Sequence, residues 1–286
     1  MPETAEIVEV GPRDGLQNEA RLIPTEEKIA LVDLLSCAGF RRIEVASFVS
    51  PKWVPQMADG AEVLSGIQRW DGVRYMALTP NMRGYDGAKA AGVDQVAVFA
   101  SASEGFSKAN LNASIPESLE RFEEVVRTAK ADGLSVRGYV SCVTDCPFDG
   151  AVAPTEVAKV SAALLAMGCD EISLGDTIGR GTPDAVDAML AAVLQVAEMD
   201  MLAGHFHDTS GLALENVDVA LERGLRIFDS AVGGLGGCPY APGAAGNLAT
   251  EKLDAHLVTR GYHTGLQRHF VAKAGRMAKE MRNGGG

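Results

Sequence analysis

Residues 6–15 read Glu6-Ile7-Val8-Glu9-Val10-Gly11-Pro12-Arg13-Asp14-Gly15, a β-branched run that stops in a polar turn. The turn separates two architectures. An open doubly wound sheet usually carries Gly-x-Gly-x-x-Gly after its first strand, where phosphate meets a helix N-terminus. Gly11-Pro12-Arg13-Asp14-Gly15 does not fit that pattern. It puts a cation and a carboxylate at a strand end, where a closed barrel gathers its functional groups.

Further short apolar runs follow at 42–46, 73–78, 94–100, 135–141, 170–174, 202–206 and 226–232, making eight with the first. Several are apolar on both faces, as parallel strands buried between layers must be. Between them the apolar residues recur at helical spacing, as in Ile29, Val32 and Leu35, or Leu119, Phe122, Val125, Val126 and Ala129. Ser114 followed by Glu117 predicts a capping box, and Thr182-Pro183 an N-cap before a first-turn proline. Gly39, Gly92, Gly133, Gly168 and Gly224 follow helical runs, where a left-handed C-cap takes glycine. Eight strand–helix units without a Pro- or Ser-rich linker predict an α/β fold, a single (β/α)₈ TIM barrel over residues 1–286. An extra C-terminal helix is expected over roughly 265–282, with Gly284–Gly286 frayed.

With 286 residues the chain can bury one large core. Acidic residues outnumber basic ones by 38 to 26, a net charge of −12, which argues against nucleic acid as partner. Local arginine and lysine can still hold an anionic small molecule. Five scattered cysteines suit a reducing compartment rather than a disulfide scaffold. The N-terminal residues show neither a secretory nor an Arg-rich transit pattern, and no apolar run approaches the roughly 20 residues of a membrane span. A soluble cytoplasmic protein is the expectation.

Four polar clusters fall at expected strand ends: Arg13-Asp14, Glu44 with Ser47, Asp176, and His205-Phe206-His207-Asp208. Residues i and i+2 of a strand share a face, so His205 and His207 form a natural two-point metal grip. A core histidine beside a helix-capping one is the plainer alternative. Asp14 and Asn247 at other strand ends favour the metal. Such a nitrogen and oxygen set suits Mg²⁺ or Mn²⁺ with open positions, although it also fits non-haem Fe(II). Arg13 reads as an anchor for an enolate or carboxylate oxygen, or as a structural partner of Glu44 or Asp14. Cys238 lies in Gly233-Gly234-Leu235-Gly236-Gly237-Cys238-Pro239, a glycine-dense stretch that reads as a mobile lid. Its thiol is either a proton carrier or an unreactive small residue. Cys142 and Cys146 do not have redox Cys-x-x-Cys spacing and read as structural. Lys52, beside Trp53, reads as a contact for a phosphate or adenine of a nucleotide-like carrier, or as a solvated lysine.

These residues resemble the 3-hydroxy-3-methylglutaryl-CoA lyase family. The likeness is carried by Val10–Glu19, Ser47–Met57, Val136–Cys142, Glu171–Gly179, His205–Thr209, Gly234–Ala241 and Gly246–Glu251, across about residues 6–270. It implies a (β/α)₈ barrel that uses a divalent cation and an acyl-CoA. By this resemblance Asp14, His205, His207 and Asn247 are metal ligands, and Arg13 stabilises an enolate. Cys238 is a general acid, and Glu44 and Asp176 support Arg13 and the metal site. Gln17, Ser47 and Lys52 are the candidate carrier-binding residues. The implied reaction is cleavage to acetyl-CoA and acetoacetate, as in leucine breakdown. Lysis of isohexenylglutaryl-CoA or citramalyl-CoA, or a condensation or aldol reaction of the wider superfamily, is the alternative. Ala46, Phe206, Ser210 and Pro242 depart from the family pattern and leave the acyl group open, since they could reshape the pocket. A homodimer is also expected, since glycine-dense loops make subunit contacts.

Overall fold

The structure, a computed structural model, describes residues 3–236 and 246–283. Ten strands are present among them: β1 (Glu6–Glu9), β2 (Arg42–Ser47), β3 (Arg74–Leu78), β4 (Gln95–Ser101), β5 (Ser135–Ser141), β6 (Asp145–Cys146), β7 (Gly150–Ala151), β8 (Glu171–Asp176), β9 (Leu202–Phe206) and β10 (Ile227–Ser230). Eight of these close a parallel barrel in the order β1-β10-β9-β8-β5-β4-β3-β2, and β6 and β7 form a separate two-stranded sheet. Each of the eight runs expected from sequence supplies one barrel strand. The last ends at Ser230, two residues short of expectation, because Val232–Gly234 coils into a 3₁₀ turn.

Around the barrel lie α1 (Thr25–Ser36), α2 (Gly60–Gly66), α3 (Met82–Ala90), α4 (Glu104–Leu111), α5 (Ile115–Ala131), α6 (Pro154–Met167), α7 (Pro183–Val193), α8 (Ala213–Glu222), α9 (Thr250–Thr259) and α10 (Arg268–Asn283). The capping chemistry is as expected. Ser114 Oγ accepts from Glu117 N at 3.3 Å, and the Glu117 carboxylate accepts from Ser114 N at 2.7 Å. The extra C-terminal helix is α10. The α4 helix has no counterpart in the periodicity, since it buries only Phe106 and Ser107. It is held by its ends: Ser103 caps the start, and Asn112 closes it in the left-handed region at φ 49°.

The main core lies between strands and helices, with Val32, Val96, Phe122, Leu174 and Leu253 all fully buried. Inside the barrel the apolar content is small, with Val8, Val10 and Met76 in one cluster and Leu78, Ala97 and Tyr139 in another. The rest of the axis is charged, where barrels usually stack branched aliphatics. Arg42 Nε meets Glu6 Oε1 at 2.7 Å, and Arg42 Nη1 meets Glu171 Oε1 at 2.8 Å. Arg137 Nε lies 2.7 Å from the same Glu171 oxygen, and Arg137 Nη2 lies 2.7 Å from Asp229 Oδ1. Burying ions costs desolvation, and alternation of sign along this ladder offsets it. No described helix is long and apolar enough to cross a membrane.

Candidate active site

Arg13 and Asp14 sit on a tight turn, Gly11–Gly15, at the C-terminal end of β1. Glu9 anchors it: its carboxylate accepts from Gly11 N at 2.8 Å, Val232 N at 3.0 Å and Thr250 Oγ1 at 2.7 Å. One buried acid thus ties together the turn, the start of the glycine-dense loop and the start of α9. Burial lifts the Glu9 carboxyl to about 8, against the pull of those three donors. The turn also packs closely on the loop. A Cβ on Gly15 would stand 2.6 Å from Leu235 Cβ, so only glycine fits there.

Arg13 is gripped from two sides. Its Nη1 meets Asp14 Oδ1 at 2.5 Å, and its Nη2 meets Glu44 Oε2 at 2.6 Å. Tyr139 Oη donates to the same Glu44 oxygen at 3.1 Å, and the guanidinium lies 5.5 Å from the Tyr139 ring centroid. The two acids offset burial and hold the Arg13 pKa above its ordinary value, so its charge is permanent.

His205 is the penultimate residue of β9, and His207 comes just after the strand. Their Nε2 atoms face each other at 3.1 Å. Ligand atoms of Asp14, His205 and His207 all lie within 4.8 Å of one another. Two ligands held cis on an octahedral ion at about 2.1 Å are separated by about 3.0 Å, so the histidine spacing fits such an ion. The protonation states of Asp14 and His207 also fit. Burial raises the Asp14 carboxyl, but Arg13 and the two histidines outweigh it and hold it down at about 2. Burial and His205 push His207 down to about 4, leaving it neutral. Burial would lower His205 as well, yet Asp229 lifts it above its ordinary value. Asn247 joins through Nδ2, which donates to Asp14 Oδ2 at 2.8 Å, and through an antiparallel bridge to His207.

These groups open on a cavity of about 710 Å³. Arg13, Asp14, His205 and His207 line its inner end, and Trp53, Asn110, Asn112 and Arg121 are also among its lining residues. Gln17 lines it too. Lys52 is exposed on the turn between the lining residues Ser50 and Trp53. Ser47 is buried, and its Oγ accepts from Val49 N at 3.4 Å. Glu44 is fully buried behind Arg13. Asp176 lies at the end of β8, where its carboxylate accepts from Thr144 Oγ1 at 2.9 Å, Gly181 N at 2.9 Å and Arg180 N at 3.3 Å. It therefore fastens two neighbouring loops, and its bonds reach neither Arg13 nor the histidines. Cys238 lies outside the described residues, as does Pro242.

Three of the four departing residues, Ala46, Phe206 and Ser210, stand clear of the cavity lining. Phe206 and Ala46 belong to the outer core and Ser210 is exposed, and none lines the cavity. Phe206 is one residue from His205 on a strand and so points to the opposite face. Ala46 has the parity of Glu44, but the register against β3 slips between Glu44 and Ala46 and turns Ala46 outward. Sequence reasoning also missed Glu9, Arg137, Ser173 and Asp229. Their one signal was charge or polarity inside an otherwise apolar strand.

Fold and site together define a barrel protein with a cluster of Asp14, His205 and His207 that could hold a metal ion, and a fixed arginine beside it, at its C-terminal mouth. The HMGL-like family model matches residues 4–277, and the chain belongs to that family. It is 57% identical over 275 residues to a Bos taurus protein named hydroxymethylglutaryl-CoA lyase, mitochondrial, covering 96% of this chain and 85% of that one. The structure of an HMG-CoA lyase from Brucella melitensis superposes with a TM-score of 0.98 at 58% identity, over 98% of this chain and 99% of that one. An Acinetobacter baumannii HMG-CoA lyase in complex with coenzyme A and 3-methylmalate superposes at 0.93 with 38% identity, over 98% and 92%.

Proposed function

We propose that this protein cleaves 3-hydroxy-3-methylglutaryl-CoA to acetyl-CoA and acetoacetate, with a divalent cation, Mg²⁺ or Mn²⁺, held by Asp14, His205, His207 and Asn247. The observation that carries this reading is the Asp14–His205–His207 cluster beside Arg13 at the inner end of a cavity. A bound cation supplies Lewis acidity and fixes the substrate's oxygens.

The reaction breaks the bond between C2 and C3 of the acyl chain. The C3 hydroxyl loses its proton, C3 becomes the ketone of acetoacetate, and the bond electrons pass to C2 as the thioester enolate. Arg13 faces the enolate oxygen with a charge held in place by Glu44, so little reorganisation is needed as that charge develops. The candidates for the base that takes the C3 hydroxyl proton are Asp14, His205 and a bound water. Cys238 returns a proton to C2 and completes acetyl-CoA. Gln17 on the cavity wall and Lys52 at its rim bind the carrier, with Lys52 meeting a phosphate.

Product analysis tests the reaction class. The expected result is one acetyl-CoA and one acetoacetate per substrate consumed. Turnover that instead requires acetyl-CoA and a 2-oxoacid together would move the protein to the condensing branch.

A further inference from the structure

The two histidines are not held alike. His207 Nδ1 is buried and has no hydrogen-bond partner among the described residues. His205 Nδ1 lies 3.0 Å from Asp229 Oδ2, and Asp229 is fully buried on the neighbouring strand β10. The two Asp229 oxygens are divided between different partners. Oδ1 accepts from Arg137 Nη2 at 2.7 Å, while Oδ2 accepts from Ser173 Oγ at 2.8 Å and faces the imidazole.

We propose that Asp229 is a positioning residue that accepts a hydrogen bond from Nδ1–H of His205 and so turns a bare Nε2 toward His207 and Asp14. An imidazole has one donor and one acceptor when neutral, and the partner at one nitrogen decides the state of the other. Arg137 can only donate, so it fixes Asp229 as an acceptor at Oδ1 and keeps the carboxylate from rotating. Ser173 Oγ donates to the second oxygen and helps to hold it in place.

The rival role for Asp229 is that of a plain counter-ion to Arg137. Asp229→Asn separates the two. Arg137 still needs an acceptor, so the amide oxygen faces Arg137 and the amide NH₂ faces His205. His205 Nδ1 then becomes the acceptor, and its proton moves to Nε2, aimed at the cluster. A pure counter-ion would leave the tautomer of His205 unchanged.

This inference rests on the cation site proposed above, and the experiment tells the two apart. Mn²⁺ affinity is measured by titration calorimetry on the whole wild-type chain and on D229N, with the thermal midpoint of each metal-free protein as the control for folding. Nitrogen-15 NMR of the metal-free wild type at pH 9 reads the tautomer directly, and does so even where D229N fails to fold. The expected results are an Nδ1–H tautomer of His205 in the wild type and an affinity about 10- to 100-fold weaker in folded D229N. An Nε2–H tautomer in the wild type, or equal Mn²⁺ affinity in folded D229N, overturns the role of Asp229 and leaves the cation site standing. Failure of the wild type to bind Mn²⁺ overturns the cation site, and this role falls with it.

Discussion

His205 Nε2 and His207 Nε2 face each other at 3.1 Å across the mouth of the barrel, beside the carboxylate of Asp14. Two nitrogen lone pairs at that distance repel unless a proton or a cation lies between them. The cation reading makes a direct demand on these side chains. His207→Ala should lower Mn²⁺ affinity by at least an order of magnitude while the metal-free protein keeps its thermal midpoint, because Nδ1 of His207 holds nothing that folding needs. Unchanged affinity on titration would remove His207 from the ligand set.

Arg13 is held by Glu44 and Asp14 at 2.6 and 2.5 Å. Arg13→Gln keeps some hydrogen bonding and loses the charge. Its kcat should fall by about 10²–10³-fold or more with a modest change in KM, as for loss of a transition-state oxyanion donor. A large rise in KM at normal kcat would make Arg13 a binding residue instead.

Glu9 gives a pH signature of stability. Its folded pKa, about 8, lies above the unfolded value near 4.5. Between these values the folded state binds the extra proton, so stability falls as pH rises, and the loss is complete above about pH 8. Glu9→Gln cannot ionise. The thermal midpoint of wild type relative to E9Q should therefore drop from pH 6 to pH 9. Parallel curves for the two proteins would show that Glu9 does not take up a proton on folding.

Gly15 packs its Cα side against Leu235, with no room for a methyl group. Gly15→Ala should cost about 1–3 kcal/mol of stability by overpacking. It should also weaken metal affinity, since Asp14 shares the turn. A G15A protein with wild-type stability and affinity would mean that the turn and the loop move apart freely.

Cys238→Ser tests the acid assigned to the glycine-dense stretch. Turnover should fall with metal affinity intact, and metal loss would show that the cysteine belongs to the cation site instead.

Much of the fold was legible because each barrel strand is an apolar run and Ser114, Thr182 and Gly168 mark helix ends in plain sequence. The paired histidines were legible from strand parity alone. The same parity rule could have placed Phe206 outside the pocket, since it separates His205 from His207. Ala46 was beyond that rule, because a slip in register against β3 overrides it. Arg137, Ser173 and Asp229 lie 92 residues apart at most in pairwise bonds. Only closure of the barrel decides which charged residue on β5 meets which acid on β10. The α4 helix was invisible because end-capping rather than an apolar stripe holds it.

The most direct test of the central claim is acetyl-CoA release from 3-hydroxy-3-methylglutaryl-CoA by protein stripped with a chelator, before and after Mg²⁺ or Mn²⁺ is restored. The expected result is no turnover by the stripped protein and full turnover once the cation returns. Undiminished cleavage in excess chelator, or no cleavage by folded protein that has bound the cation, would contradict it.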